Sequence, residues 1–190
     1  MEQWSSIPIN EGKAIRVTLE VGQKYAQLGE AVPMSISLTS PAFADGAPMP
    51  AKYSAYSDNI SPALQWSNLP PGTGSLALVM SDPDTPVGYI HHWILYNLPA
   101  NLTGLAENLP KTGTLVNGAS QISLPADQPG GYFGPRPPSG SGNHRYYFKR
   151  YALDNETLLV GSNPTRQEIL SAIEAQALAM GRLVGKYAQP

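Results

Sequence analysis

The chain has just three histidines, His91, His92 and His144. Shortly before the first pair comes Asp82-Pro83-Asp84-Thr85-Pro86, which carries two carboxylates. Imidazole changes charge near neutral pH, and its two ring nitrogens take separate roles. A carboxylate beside it fixes the tautomer or accepts a proton from a ligand ammonium group. A pocket joining Asp82, one histidine of the pair, His144 and Tyr146 would offer N–H and O–H donors to an anion. Read alone, the Asp-Pro-Asp stretch is better explained as an Asx turn with solvated acids.

Other chemistries lack their residues. With Cys 0, thiolate nucleophiles, disulfides and iron–sulfur ligation are excluded. There is no GxSxG elbow, no phosphate loop and no three-glycine dinucleotide fingerprint. Histidines with an Asp can hold zinc, but neighbouring histidines on one strand cannot easily both reach it. No metal and no cofactor is expected. A hydrolase using His92 or His144 as general base is the secondary reading, because no activated nucleophile is evident.

The elements around these residues read mostly as strands. Ile15, Val17, Leu19 and Val21 alternate with polar residues, and Met34, Ile36 and Leu38 repeat the pattern. Ser75–Ser81 is apolar throughout, as for a central strand covered on both faces. Residues 90–96 (IHHWILY) and 145–153 (RYYFKRYAL) are aromatic and β-branched. Strict alternation puts Ile90, His92, Ile94 and Tyr96 on one face, with His91, Trp93 and Leu95 on the other. In the second segment His144, Tyr146 and Phe148 share a face.

Residues 41–62 read as loops, and residues 99–143, with eight Gly and seven Pro, as a long surface excursion. Thr165 and Glu168 form a capping-box pattern. Ile169, Ile173, Ala177, Met180, Val184 and Tyr187 then follow at helical spacing, predicting one apolar helix stripe to Tyr187.

Composition sets the outer limits. A length of 190 residues suits one domain, or a domain with an arm. Lys+Arg 12 against Asp+Glu 14 gives a net charge of −2, so general nucleic-acid binding is not expected. Hydrophobic residues make up 42%, enough for a core, and the 18 Gly and 19 Pro favour a turn-rich β domain. MEQWSSIPINEGKAIRVTLEVG has no basic n-region or apolar h-region, and no apolar run approaches a membrane span. A cytoplasmic protein is expected.

The motifs AFADGAPMPAKYS (42–54), DNISPALQW (58–66), SDPDTP (81–86), HHWILYNLP (91–99) and GPRPPSGSGNHRYYFKRYALD (134–154) resemble the phosphatidylethanolamine-binding proteins, in their prokaryotic Raf-kinase-inhibitor-like branch. The resemblance covers roughly residues 36–187 and leaves 1–35 as an N-terminal arm or strand. It implies a mainly β fold: a large antiparallel sheet flanked by a smaller sheet, with a C-terminal helix. It also implies a small anion pocket for phosphate or a phosphorylated headgroup. By motif position that pocket comprises Asp82, His92, Gly134, Pro138, His144 and Tyr146, supported by Asp84 and Pro86. Such a protein is expected to bind a phosphorylated small molecule or lipid headgroup without enzymatic turnover, as a regulator or inhibitor of a kinase or protease, and to form a homodimer. Two stretches depart from the family pattern: SQISLPADQPGGYFG before the GPRPP motif, and Ala175-Gln176 where members often carry Gly-His.

Overall fold

The computed structural model describes residues 32–123, 130–162 and 164–189. Val32–Pro190 form one compact unit. The strand expected over Ile15–Val21 lies outside the described residues. The strand expected around Met34, Ile36 and Leu38 is shorter, β1 (Ser37–Thr39), with Ile36 and Leu38 buried and Met34 60% exposed.

Among the described residues eight strands make two antiparallel sheets. The smaller has the order β1-β2-β5, with β2 Leu64–Ser67 and β5 Gly104–Leu105. The larger has the order β6-β4-β3-β7-β8. Its members are β3 Ser75–Asp82, β4 Ile90–Pro99, β6 Ser120–Ser123, β7 His144–Leu153 and β8 Ala177–Tyr187.

Every residue of β3 is buried. Its alternate side chains explain why. Leu76, Leu78 and Met80 pack with Tyr146 and Phe148 against Leu38, Leu64 and Trp66 of the smaller sheet. Ala77 and Val79 face the other way, onto Ile169 and Ile173 of helix α1 (Arg166–Ala175). A leucine fully buried in such a layer contributes about 1.5–3 kcal/mol. The apolar run at 75–81 therefore marks the centre of a helix–sheet–sheet stack. Arg150 is also wholly buried between the sheets, its guanidinium 3.9 Å from the Trp66 ring centroid and Nη1 donating to the Ala77 carbonyl at 3.0 Å.

The capping box is formed as expected. The Glu168 N–H donates to Thr165 Oγ1 at 3.2 Å, and the Thr165 N–H donates to Glu168 Oε2 at 2.7 Å. The expected helix to Tyr187 is corrected: α1 ends at Ala175, and Ala177–Tyr187 is strand β8, paired with β7 from His144↔Tyr187 to Leu153↔Ala177. The segment carries two periods at once. Met180, Val184 and Tyr187 suit a helix, while Ala179, Gly181, Leu183, Gly185 and Tyr187 alternate. Pairing with β7 decides between them, because glycines disfavour a helix interior and here admit close neighbours. A Cβ on Gly181 would meet the Ile36 carbonyl oxygen at 2.3 Å, and one on Gly185 would meet Met49 Cγ at 2.4 Å.

Residues 99–143 are likewise more than a surface excursion. They supply β5 and β6, and they bury Leu105, Leu115, Ala119, Gln121 and Tyr132. Gln121 holds the turns in place, its Nε2 donating to the Pro110 and Thr112 carbonyls at 2.9 Å each.

Candidate functional site

Antiparallel order brings three strand ends together. β3 lies between β4 and β7, so its exit at Asp82 sits beside the starts of both, with Asp82 paired to Ile90 and Ser81 paired to Tyr147. The two histidine motifs, far apart in sequence, meet Asp82 here.

Asp82 is 2% exposed and His144 is 3% exposed. His144 Nδ1 lies 2.7 Å from Asp82 Oδ2, a buried charge-assisted contact. Asp82 Oδ1 accepts from the Asp84 N–H at 2.8 Å, closing the Asx turn that the Asp-Pro-Asp sequence favours. Both carboxylate oxygens are therefore engaged. With Nδ1 facing the carboxylate, His144 has Nε2 left for a ligand.

His92 is set by a β-bulge. Met80 pairs with Trp93 and Ser81 with His91, so His92 is the extra residue between two consecutive β3 positions. Strict alternation along β4 fails at this point. His92 lies against Tyr146, ring centroids 5.3 Å apart and edge-on, on the same side as the core residue Trp93. Ile94 and Tyr96 belong to the opposite, helix-side layer. Ser81 places His91 on that helix side too, in register with the odd-numbered β7 residues. The bulge delivers His92 to the Asp82 and His144 face, and the expected grouping of His92 with Ile94 is corrected.

His92 Nδ1 is 3.2 Å from the Phe133 carbonyl, and its ring stacks on Phe133 at 5.7 Å. A neutral imidazole donating there presents a lone pair at Nε2. Burial pushes the His92 pKa below the ordinary histidine value, outweighing the Phe133 carbonyl and the Asp82 charge that favour protonation. His92 therefore takes up a proton less readily than an ordinary histidine.

Tyr146 is fully buried, and its hydroxyl makes no hydrogen bond of full geometry with a described residue, although the Asp82 carboxylate and the Arg136 backbone lie near enough to act on it. Burial drives its pKa far above the tyrosine range, and the Asp82 charge pushes it the same way. The hydroxyl therefore remains a protonated donor.

The other expected residues hold the frame. Asp84 Oδ2 accepts from the Arg145 N–H at 2.8 Å and Nε at 2.9 Å, while Oδ1 accepts from Nη2 at 2.6 Å. That fork ties the β3 exit to the residue after His144. The Arg145 hydrogen bond holds the Asp84 carboxyl down at about 2. Gly134 donates its N–H to Asn59 Oδ1 at 2.8 Å, and a Cβ there would sit 2.1 Å from the Tyr53 carbonyl oxygen. Pro138 is exposed, its carbonyl accepting from Ser141 N–H and Oγ at 3.2 and 2.7 Å. Pro86 is exposed in the β3–β4 loop.

Sequence reasoning missed Phe133, Asn59 and Tyr132, whose hydroxyl donates to the Tyr53 carbonyl at 2.8 Å. Phe133 acts through a backbone carbonyl and a ring face, neither of which has a sequence signature. Among the described residues no group of three or more His, Asp or Glu could hold a metal ion, and no helix is long and apolar enough to cross a membrane.

Comparison with known proteins bears on the family and the fold. Residues 39–188 match the family model for phosphatidylethanolamine-binding protein. A UPF0098 protein of Methanothermobacter thermautotrophicus is 39% identical over 152 residues, covering 80% of this chain and 98% of that one. A UPF0098 protein of Aquifex aeolicus is 34% identical over 172 residues, covering 90% and 96%. Among solved structures, Escherichia coli YbcL, described as a new member of the mammalian family, matches with a TM-score of 0.72 at 26% identity, covering 82% of this chain and 99% of its own. A homologue from Chlamydia trachomatis matches with a TM-score of 0.70 at 36% identity and the same coverage. The two antiparallel sheets of the described residues and a family match over most of its length place this chain in the phosphatidylethanolamine-binding protein family.

Proposed function

We propose that the Asp82, His92, His144 and Tyr146 site binds a phosphate or phosphorylated headgroup without turning it over. The observation that carries this reading is the Tyr146 hydroxyl, buried beside His92 without a hydrogen bond of full geometry. A buried hydroxyl without such a bond costs about 1–3 kcal/mol, and a ligand oxygen would recover it. The imidazole Nε2 atoms accept from a phosphate P–OH or a ligand ammonium while the tyrosine donates to a phosphoryl oxygen. Gly134 and Pro138 form the rim in this reading, with Asp84 and Pro86 holding the strand exit.

Calorimetric titration with inorganic phosphate and with phosphorylethanolamine tests it. Tyr146→Phe should leave the ligand-free fold as stable or more stable, yet weaken binding. Unchanged affinity in that variant would remove the hydroxyl from the site.

The Asp82–His144 contact favours one second reading, a hydrolase with His144 as general base oriented by Asp82. Turnover of a phosphomonoester that falls with His144→Gln would establish it in place of passive binding.

The regulatory role belongs to the same proposal: the occupied site controls a kinase or protease partner from the cytoplasm. Residues 1–35 act as an appended arm, and deleting residues 1–14 should leave phosphate binding intact. The protein is proposed to work as a homodimer, and light scattering giving only the 20.3 kDa chain mass at high concentration would refute that.

A further inference from the structure

The reverse face of the large sheet, opposite the His92 and Tyr146 layer, carries an arrangement of charge that folding alone does not favour. In the β7–β8 ladder Arg145 pairs directly with Lys186, and Lys149 directly with Arg182, with Tyr147 opposite Val184 between them. Directly opposed residues share a face and lie about 4.5–5.5 Å apart at Cβ, and like charges so placed are destabilising. Two opposed cation pairs therefore stand side by side on one surface. The register continues across β3 to β4, since Ser81 pairs with both Tyr147 and His91.

Aromatic rings separate the charges. The Arg145 and Arg182 guanidinium carbons lie 5.8 and 5.6 Å from the Tyr147 centroid, and Lys149 Nζ lies 5.9 Å from that of Tyr89. Arg145 is engaged by Asp84. Among the described residues no carboxylate forms a salt bridge with Lys149, Arg182 or Lys186. The His91 Nδ1 at the border of the patch is buried without a partner. With the Asp84 carboxylate that engages Arg145, the four ladder cations leave a local charge of +3 in a chain of net charge −2. The segregation is local.

We propose that this β7–β8 face docks an acidic segment of a partner protein, whose carboxylates neutralise the opposed cation pairs. Charge complementarity selects an anionic occupant, and shape narrows the choice. Helix α1 packs on the same side of the sheet, through Ile169 and Ile173. A helix is about 10–12 Å thick, so it forms a wall at one end of the patch and holds a planar bilayer away from the floor. A peptide fits the corner. The net negative chain and the few cations do not suit a polynucleotide, which recruits many phosphate contacts.

Fluorescence anisotropy with a labelled short oligoglutamate peptide at low salt tests this on the full chain. Saturable binding that weakens as salt rises is expected, with NMR shifts larger at the His91 ring than at His92. Arg182→Glu places a carboxylate opposite Lys149. It should raise the thermal midpoint while weakening the peptide about tenfold or more. Arg182→Gln serves as a second variant, with weaker binding and an unchanged or raised midpoint. Tyr146→Phe should leave peptide binding unaltered, so failure of the phosphate site and failure of this face are separable. The proposal is overturned by absence of saturable binding, or by full affinity in both Arg182 variants. It is equally overturned if phosphatidylglycerol vesicles or single-stranded DNA bind this face and oligoglutamate does not.

Discussion

His144 Nδ1 stands 2.7 Å from Asp82 Oδ2, joining residues 62 positions apart in a contact almost closed to solvent. Asp82 ends β3 and His144 begins β7, so this contact makes the two strand ends into one site. Its strength comes from burial: a charge-assisted hydrogen bond is not diluted by water there, and a lone partner would be left unsatisfied. Asp82→Ala should therefore cost about 1–3 kcal/mol of stability, read from urea unfolding at constant slope. The same variant should lose phosphate binding, because Asp82 is the hydrogen-bond partner of the His144 ring among the described residues. Full affinity after this change would show that the pair is structural only.

Gly134 predicts a second effect. With the Tyr53 carbonyl oxygen 2.1 Å from where a Cβ would stand, Gly134→Ala must push the chain away from Tyr53. Overpacking of that kind costs about 1–3 kcal/mol. The neighbouring Phe133 carbonyl should move with it and release His92 Nδ1. Nitrogen-15 spectra of the imidazole would then show a mixed tautomer in place of one Nδ1–H form. An unchanged His92 spectrum would mean that the strain is absorbed elsewhere.

The pH dependence of His92 has a definite sign. Its folded pKa lies below the unfolded value of about 6.5, so the unfolded chain binds a proton more readily in that window. This contribution is complete above about pH 6.5 and is lost as pH falls from there toward the folded pKa. Thermal midpoints should decline between pH 7.5 and 5.5, less steeply in His92→Gln. Bound phosphate should raise the His92 midpoint more than that of His91, which burial and nearby Arg166 and Lys149 also depress.

Asp84 works in the other direction. Its carboxyl is lowered from 3.8 to about 2 by the Arg145 fork. The stability it contributes is present above about pH 4 and is lost as pH falls through about 2. Arg145 is half exposed, so solvent screening keeps the gain small. Asp84→Asn should flatten acid unfolding below pH 4 and barely change stability at pH 7. A large loss at pH 7 would reveal a further role for Asp84 in seating the β3–β4 loop.

What the sequence determined by itself is local. The run at 75–81 must be buried on both sides because it has no polar face, and Thr165 with Glu168 can start a helix because the capping atoms lie three residues apart. The Asp-Pro-Asp turn closes on its own carboxylate. The histidine and GPRPP motifs also carried the family resemblance. Tertiary structure decided everything that depends on register. The 177–187 segment satisfies two periods, and only pairing with β7 selects the strand. The bulge at His92 reverses the alternation of β4, since one extra residue against β3 changes which side chain faces the core. Phe133 holds His92 through a backbone carbonyl, a group that every residue type possesses, so only the fold could assign it.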